Sequence, residues 1–600
     1  MFAYSFKDIH TYGNVEQVQT SHVSLDLSLD FDKKVISGSC ELTLKYADPK
    51  KGAAHIDLDT RMLTVTKVVE PGTGRTLKFD LGENESLLGR RLRVKLPNPN
   101  ITKIEIHYHT DPAAGALQWL EPRMTTSKKH PFLLTQGQAI LSRTWFPCMD
   151  SPGVRVTYDA VIRVPKGITP IMSAAHGKHE PEKGIYRFEL KRAIPPYLIA
   201  LAAGEIEFKA ISDRCGVYAE PAVLEKAAWE FADMEKMMKA AEGLYGEYRW
   251  ERWDTIVLPP SFPFGGMENP MLTFATPTLL AGDRSLVNVM AHELAHSWSG
   301  NLVTNATWSD FWLNEGFTVY FERRIVEELY GKETAQMHTL LGQRELHHEI
   351  AEMGAKNKEF AKLFQDLSGH DPDDAFSSVP YEKGANFLFV LEKYFGRRAF
   401  DAFLIKYFDT HAFQSMTTAK FLAFMKKELF QGNETAWKEL KVDEWVYQAG
   451  VPDNMVIPKS EKFDKTRAAA KAFSETGNLD FIDKKGWVTE EWLDFLNSLP
   501  EKVDHAKLKK LDEHCNFSNT GNSEVLFAWG MVAIRNTYKP ALPAVEHFLM
   551  RQGRRKFLKP LYQALWDNPK TRDLSKEIYA KARSGYHPIA TATIDDIVKI

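Results

Sequence analysis

Three residues of the chain, His292, His296 and Glu315, have the types and spacing of ligands for a metal ion. If residues 285–298 form a helix, the two histidines lie one turn apart on one face, and both imidazoles can reach one ion. A catalytic zinc ion usually takes three protein ligands and keeps one position for water. Glu315, which follows His296 after 18 intervening residues, is the predicted third ligand.

Two further glutamates accompany the predicted ligands. Glu293 is offset from His292 by about 100° around a helix, so it is free to act as a general base on a water molecule at the metal. Glu322 lies two helical turns after Glu315, where it can orient a ligand or remain a surface carboxylate. For the bare His-Glu-x-x-His pattern the alternative is a surface helix with two solvated histidines. Zinc is inferred from the ligand types, and such a site can also accept other divalent ions.

The composition is that of a globular protein with an expected three or four domains. Of the 600 residues, 44% are hydrophobic and 26% are charged, and the net charge of −3 gives no reason to expect nucleic acid or a membrane as a partner. The four cysteines are scattered, which favours a reducing, cytoplasmic location over a disulfide framework. Residues 1–8 do not resemble a signal peptide, although a processed exported form would look the same.

The periodicity of the apolar residues changes along the chain. In residues 22–31 apolar and polar side chains alternate, which predicts a half-buried strand, and no long helical pattern occurs before residue 220. Residues 1–205 are therefore predicted to form an all-β domain, largely antiparallel. Residues 222–247 have the spacing of a helix, and Trp253–Leu258 has that of a strand. Further strands are predicted at residues 39–46, 101–107, 156–164 and 186–190.

The predicted mixed α+β region ends near Gly450, and a helical region follows it. Residues 451–462 contain two prolines and no helical period, so they are predicted to be a linker. Residues 463–600 have helical spacing interrupted by turns. Five to nine short helices stacked in pairs would account for this pattern.

Several segments together carry a resemblance to a known family. The run from Gly265 to Pro270, Gly-Gly-Met-Glu-Asn-Pro, the His-Glu-x-x-His segment and the run Trp312–Gly316 resemble the zinc aminopeptidases of metallopeptidase family one, the gluzincins. The similarity is greatest to the branch of leukotriene A4 hydrolase and its bacterial aminopeptidase relatives, and extends over essentially the whole chain. It implies a thermolysin-like catalytic domain at 206–450 and an all-α, armadillo/HEAT-like domain at 463–600. Residues 276–283, 299–304 and 377–384 are also similar to that branch.

The segment before the metal helix is predicted to bind the peptide. Adjacent Gly265 and Gly266 suit an extended backbone that approaches a ligand closely, so that main-chain hydrogen bonds can hold a peptide. Glu268 could pair with a free α-ammonium group and block a longer chain, which would make the enzyme an exopeptidase; the alternative is a solvated loop carboxylate. By resemblance, Gln136 and Gln138 help Glu268 to bind the N-terminal residue of the substrate.

The resemblance also assigns roles to residues after the metal helices. Tyr381 would donate a hydrogen bond to the oxyanion formed during hydrolysis. Phe376 occupies a position where the leukotriene-hydrolysing members have a tyrosine along the lipid pocket, so its missing hydroxyl puts that activity in doubt. Asp373 matches the polar residue that directs water in epoxide opening, and it could equally be one of several acidic loop residues.

Two cations are predicted to bind the other end of the substrate. Arg554 and Lys556 could form the basic start of a surface helix, but by resemblance they pair with the carboxylate at the C-terminus of the substrate. Short peptides, and tripeptides especially, would then fit between Glu268 and Arg554. Met267 could contribute to the pocket for the first side chain or only pack there.

The sequence therefore predicts a zinc metallo-aminopeptidase with one Zn²⁺ per chain and short peptides as substrates. A lipid epoxide hydrolase activity, alone or in addition, is the first alternative. A non-catalytic peptide-binding scaffold is an alternative of another class, and the presence of His292, Glu293 and Glu315 argues against it. The sequence does not determine the oligomeric state, and a monomer is favoured.

Overall fold

The computed structural model describes residues 7–98 and 101–599 of the chain. Its first part is built from strands, because apolar side chains at every second position can cover one face of a sheet. The prediction that residues 1–8 are not a signal peptide falls mostly on residues 1–6, which lie outside the described residues. The strands of this part are β1 Val18–Asp30, β2 Val35–Tyr46, β3 His55–Thr60, β4 Leu63–Glu70, β5 Arg75–Thr76, β6 Phe79–Leu81, β7 Arg90–Lys95, β8 Lys103–Thr110, β9 Leu117–Leu120, β10 Phe132–Thr135, β11 Val156–Arg163, β12 Thr169–Met172, β13 Ala175–His176, β14 Ile185–Ile194 and β15 Leu201–Gly204.

An eight-stranded sheet forms most of this β region, in the order β13-β14-β11-β1-β2-β8-β4-β5. Its neighbouring strands are antiparallel except for β1 and β11, which are parallel, so the sheet is largely antiparallel as predicted. A second sheet of four strands has the order β12-β15-β10-β9. Because β10 ends at Thr135, it delivers Gln136 and Gln138 directly after its last residue.

The central part of the chain combines a mixed sheet, β16-β17-β18-β20-β19, with packed helices. The helical spacing predicted over 222–247 is confirmed, but it belongs to two helices, because α1 ends at Glu230 and α2 begins at Met234. The Glu230 carboxylate is fully buried and accepts the backbone N–H groups of Gly282 and Arg284, which fixes the end of α1. The elements are β16 Glu207–Ala210, β17 Cys215–Ala219, α1 Pro221–Glu230, α2 Met234–Tyr245, β18 Trp253–Val257, β19 Gly266–Met267, β20 Leu272–Ala275, α3 Asn288–Ala295, β21 Val303–Asn305, α4 Trp312–Tyr330, α5 Lys332–Met353, α6 Gly384–Phe395, α7 Arg397–Thr410, β22 Gln414–Met416, α8 Thr418–Glu428, α9 Glu434–Glu439 and α10 Val442–Tyr447.

Helix α3 is shorter than the predicted range of 285–298. It ends at Ala295, and the backbone then turns so that Gly300 adopts a φ of +121°, a conformation that favours glycine. His296 is the first residue after the helix but keeps helical backbone angles, and its N–H bonds to the carbonyl of His292. The one-turn relation between the two histidines is therefore preserved although the predicted helix length is wrong.

Helices α4 and α6 cross at two glycines, Gly316 and Gly384. A methyl group at Gly316 would lie 2.8 Å from the Cα of Gly384, so Gly316→Ala is expected to destabilise the protein by about 1–3 kcal/mol through overpacking. Thermal unfolding measures this effect. Gly243→Ala is the control, because Gly243 is exposed on α2 and its added methyl group would meet no atom of another element within 4 Å; it is expected to stabilise by about 0.5–1 kcal/mol. Equal thermal shifts in the two variants would contradict the packing argument.

The last part of the described chain consists of eight α-helices within residues 461–599. The first begins at Glu461, two residues before the predicted start, because the Ser460 side chain caps the helix by accepting the N–H of Phe463. Helices two positions apart in the sequence pack against each other, and their apolar side chains form two separate cores. No helix in the described ranges is long and apolar enough to cross a membrane. The eight helices are α11 Glu461–Thr476, α12 Thr489–Ser498, α13 His505–Cys515, α14 Ser523–Asn536, α15 Leu542–Arg551, α16 Arg555–Asp567, α17 Arg572–Ala582 and α18 Pro588–Val598.

Candidate active site

The three predicted metal ligands converge between α3 and α4. The Nε2 atoms of His292 and His296 lie 3.3 Å and 3.5 Å from Oε2 of Glu315. Each ligand in a tetrahedral zinc site is about 2.0–2.2 Å from the ion, so ligand atoms about 3.3 Å apart suit one ion. The spacing therefore fits zinc without rearrangement of the three side chains.

A second observation supports the same fit. Oε2 of Glu315 is buried and, within the described part of the chain, has no hydrogen-bond partner. A buried carboxylate oxygen without a hydrogen bond destabilises the folded protein unless a ligand interacts with it. Burial alone would raise the pKa of Glu315, but the charges of His296 and His292 hold it at about 2, so the carboxylate is ionised as a metal ligand must be.

Both imidazoles are oriented through their other nitrogen atoms. Nδ1 of His292 lies 3.0 Å from Oε2 of Glu322, and Nδ1 of His296 lies 2.8 Å from the carbonyl oxygen of Ser299 and 3.0 Å from the Thr318 hydroxyl. Acceptors at Nδ1 keep the proton there and direct Nε2 towards the metal position. Glu322 is 5% exposed, which fits the orienting role better than that of a surface carboxylate.

Glu293 lies beside the ligands and against strand β19. A methyl group at Gly266 would be 2.2 Å from Oε1 of Glu293, so the carboxylate occupies the space that a side chain at Gly266 would need. Burial raises the pKa of Glu293 to about 7, and the neighbouring His292 and His296 oppose this shift. A carboxylate with such a pKa can take up and release a proton near neutral pH.

The segment Gly265–Glu268 contacts successive parts of the site. Gly265 lies against the Arg554 guanidinium, where a methyl group would be 2.6 Å from Nη2, and the next residue contacts Glu293. Met267 follows, with its sulfur 3.1 Å from Nε2 of Gln136. The segment therefore begins beside the Arg554 cation, passes Glu293, the candidate general base, and ends at the Glu268 carboxylate.

Three buried polar atoms lie in this region without a hydrogen-bond partner among the described residues: Oε1 of Glu268, Oε1 of Gln136 and Nε2 of Gln138. Buried polar groups without a partner are available to form hydrogen bonds with a bound ligand. Asn301 stabilises the turn by donating from Nδ2 to the backbone carbonyl of Glu268. The two acceptor oxygens, at Glu268 and Gln136, suit an ammonium group.

Tyr381 lies in a short π-helical turn, Val379–Lys383. Its ring is stacked against the His292 ring, with centroids 6.1 Å apart and an interplanar angle of 19°. Burial, together with the charge of Glu315, raises the pKa of Tyr381 well above its ordinary value. The hydroxyl therefore keeps its proton and can donate a hydrogen bond beside the metal ligands.

The predicted cations come from the C-terminal helices. Arg554 is 7% exposed and Lys556 is more accessible, and both approach Glu524, at 3.5 Å from Nη1 of Arg554 and 2.8 Å from Nζ of Lys556. Nε of Arg554 has no hydrogen-bond partner in the described ranges, which leaves a buried donor for a ligand. Main-chain bonds from Gly553 to Pro260 fix this segment beside the catalytic domain.

Asp373 and Phe376 lie in and next to a 3₁₀ turn at Pro372–Ala375. Burial and the nearby Asp371 raise the pKa of Asp373 to about 7. Phe376 packs edge-to-face against Phe311, with ring centroids 4.7 Å apart. These contacts give Phe376 a packing function and do not identify a ligand.

Sequence reasoning missed three charged residues at the site: Arg323, Glu382 and Glu524. Arg323 contacts both Glu322 and Glu382, and Glu524 pairs with the two cations. Arg323 and Glu382 directly follow the predicted residues Glu322 and Tyr381 in the sequence. This adjacency was the signal that could have found them. Glu524 had no such signal, because its partners are about 30 residues away.

The fold and the site together define a zinc metallopeptidase of the gluzincin class, with a His-Glu-x-x-His helix and a glutamate from the next helix. Family models match three parts of the chain. They are the peptidase M1 N-terminal domain at residues 19–198, the peptidase family M1 domain at 229–445 and the leukotriene A4 hydrolase C-terminal model at 487–598.

Similar proteins cover the whole length of the chain. Leukotriene A-4 hydrolase of Xenopus laevis is 39% identical over 97% of both chains. Leucine aminopeptidase 2 of Sclerotinia sclerotiorum is 37% identical over 99% of this chain and 100% of its own. The structure of yeast LTA4 hydrolase in complex with bestatin has a TM-score of 0.93 and 34% identity, covering 100% of this chain and 98% of the other.

The chain belongs to the M1 peptidase family, within its leukotriene A4 hydrolase branch. It is a zinc-dependent metallo-aminopeptidase whose substrates are peptides. The predicted family, fold class, zinc cofactor and enzyme class are thereby confirmed.

Proposed function

We propose that this enzyme removes the first residue from short peptides, with His292, His296 and Glu315 as the ligands of its Zn²⁺. The buried Oε2 of Glu315, which lies within 3.5 Å of Nε2 of both imidazoles and has no hydrogen-bond partner among the described residues, is the observation that carries the ligand assignment. When bound, zinc lowers the pKa of the attacking water and polarises the peptide carbonyl. Glu322 holds the His292 ring in the orientation that a ligand needs.

Glu293 is the proposed general base. It takes a proton from the attacking water on its carboxylate and then passes that proton to the nitrogen of the leaving amine. Its position against Gly266 supports this role, because the peptide is proposed to bind along the same strand. Glu268, assisted by Gln136 and Gln138, binds the free ammonium group and so sets the register of the scissile bond.

Tyr381→Phe is expected to lower kcat by about 10²–10³-fold with little change in KM, because the hydroxyl group stabilises charge that develops only in the transition state. Steady-state kinetics on a free tripeptide measures both constants. The ring stacked on His292 remains, so metal content is expected to be unchanged. A change confined to KM would contradict the proposed role.

The length of the binding segment favours tripeptides. The three residue steps between Gly265 and Glu268 span at most about 10 Å. An extended tripeptide has about the same length, so its ammonium group can reach Glu268 while its carboxylate reaches Arg554. Arg554 supports this role, since its buried Nε is a free donor among the described groups and a guanidinium matches a carboxylate.

Arg554→Ala is expected to raise KM for a tripeptide with a free C-terminus by roughly 30-fold or more, since truncating one partner of a buried charge pair costs about 2–5 kcal/mol. KM for the same tripeptide with an amidated C-terminus is expected to change little. Lys556→Ala is expected to show the smaller effect, because its side chain is 43% exposed. Equal losses on both peptides would exclude carboxylate recognition.

Hydrolysis of an unblocked tripeptide and of its N-acetylated form, with and without a chelator, tests the proposed function directly. Much faster cleavage of the free peptide than of the acetylated one, abolished by the chelator and restored by Zn²⁺, is expected. Equal cleavage of both peptides would indicate an endopeptidase and contradict the role of Glu268. Failure of the chelator to stop cleavage would contradict the metal assignment.

Lipid epoxide hydrolysis remains the alternative activity. Asp373 matches the residue that directs water in that reaction, while Phe376 has no hydroxyl group and packs on Phe311. An assay with an unsaturated fatty-acid epoxide separates the two activities. Formation of a diol would add the second activity, and its absence would limit the enzyme to peptides.

We further propose that the protein is a cytoplasmic monomer without a nucleic-acid or membrane partner. The net charge and the scattered cysteines, all four of which are free and described, support this proposal. The domain boundaries at 205 and 450 are proposed on the change from strands to helices, and the linker predicted at 451–462 is shortened to 451–460 because α11 begins at Glu461. Light scattering and limited proteolysis test these points.

A further inference from the structure

A chain of charged side chains leads from the metal site to the turn that carries Tyr381. Oε2 of Glu322 lies 3.0 Å from Nδ1 of His292, and its Oε1 accepts a hydrogen bond from Nη1 of Arg323 at 2.8 Å. Nη2 of Arg323 donates at 2.8 Å to Oε1 of Glu382, the residue after Tyr381. Arg323 is 6% exposed, so it joins two carboxylates inside the protein.

The far end of this chain is held in place by packing. A methyl group at Gly342 of α5 would lie 2.2 Å from the Glu382 carboxyl group, so the carboxylate fills the space above that glycine. Nδ2 of Asn386 donates to the Glu382 backbone carbonyl at 2.7 Å. The side chain and the backbone of Glu382 are therefore both fixed.

The other side of the turn returns to the metal site. The Tyr381 ring is stacked on the same His292 ring that Glu322 orients. His292, Glu322, Arg323, Glu382 and Tyr381 therefore form a closed circuit of contacts. Single-turn π-helical segments such as this one are frequent at functional sites, where they re-aim a side chain.

We propose that Arg323 is a positioning residue that couples the orientation of His292 to the position of the Tyr381 hydroxyl. A buried hydrogen-bonded ion network has few alternative arrangements, so a shift of one carboxylate moves its partners. Arg323 then keeps the His292 imidazole and the Tyr381 hydroxyl in fixed positions relative to each other. This inference rests on the proposed roles of His292 and Tyr381.

Two variants disturb the far end of the network without touching a metal ligand. Glu382→Gln removes one charge but keeps a hydrogen-bonding side chain, and Gly342→Ala displaces the carboxylate without any change of charge. Glu392→Gln is the matched control. The Glu392 side chain is 13% exposed, as is that of Glu382, and it also contacts α4, through the hydroxyl of Tyr320.

Zinc affinity, measured by competition with a chelator, is the first readout, and the split between kcat and KM on a tripeptide is the second. Both test variants are expected to weaken zinc binding by about 3–10-fold, below the roughly 10–100-fold known for direct partners of metal ligands. They are expected to lower kcat by a similar factor, with KM changed less than about two-fold. The control variant Glu392→Gln is expected to leave zinc affinity, kcat and KM unchanged.

Unchanged zinc affinity and kcat in both test variants would overturn the coupling and leave Arg323 with a structural role only. The coupling would also be overturned if the control Glu392→Gln weakened zinc binding as much as Glu382→Gln does. If Glu382→Gln does not fold, Gly342→Ala alone decides. Failure of the Tyr381 assignment is distinguishable, because Tyr381→Phe would then leave kcat unchanged while the zinc readout still tests Arg323.

Discussion

Glu293→Gln is expected to lower kcat by about 10²–10⁴-fold while the protein retains zinc. Glutamine has nearly the same shape as glutamate, so it can fill the space against Gly266, but it cannot accept the proton of the attacking water. The three proposed ligands are unchanged in this variant. Turnover is therefore expected to fall without loss of the metal.

Steady-state kinetics together with metal analysis of the purified variant measures both quantities. Glu392→Gln, which removes a carboxylate outside the site, is the control and is expected to keep both activity and zinc. Activity within about ten-fold of the parent would exclude Glu293 as the base. Loss of zinc in Glu293→Gln would instead assign the residue a role in metal binding.

Glu268→Ala is expected to reduce kcat/KM for a free tripeptide by roughly 30- to 5,000-fold, which corresponds to about 2–5 kcal/mol for truncation of one partner of a buried charge pair. Burial raises the pKa of Glu268, although His296 opposes the shift, and an ammonium group nearby favours the ionised form again. The N-acetylated peptide has no such group. Its slow cleavage is expected to stay nearly the same.

The ratio of kcat/KM for the free and acetylated peptides is the decisive measurement for Glu268. This ratio is expected to decrease strongly in Glu268→Ala and less in Gln136→Ala, because an uncharged amide forms a weaker hydrogen bond with the ammonium group than a carboxylate does. An unchanged ratio in Glu268→Ala would show that another group recognises the free amine.

The metal site was largely predictable because its signals are local. His292 and His296 are separated by one helical turn, and Glu315 and Glu322 by two turns of α4, so helical geometry decides which side chains share a face. The exact ends of α3 were not predictable from spacing. They depend on the contact of His296 with Ser299 and on the conformation of Gly300.

The proposed peptide-binding residues were assigned by a different route. Their types and spacing alone left solvated loop or surface side chains as alternatives for Gln136, Glu268 and Arg554. Resemblance assigned the roles of Gln136 and Arg554, whereas the role of Glu268 was inferred from the adjacent glycines and the nearby zinc motif. The structure places these residues in one region although they are far apart in the sequence. It also adds Glu524 beside the cations, a partner that no pattern indicated.

The sequence by itself determined the enzyme class, the metal and the alternation of strands followed by helices, because these depend on residue types and on periodicity within one element. Only the tertiary structure decided which distant side chains meet. The contact of Gly265 with Arg554 and the path from His292 through Arg323 to Glu382 join separate elements. Such contacts depend on how helices and domains pack, and packing is set by the shapes of many side chains at once.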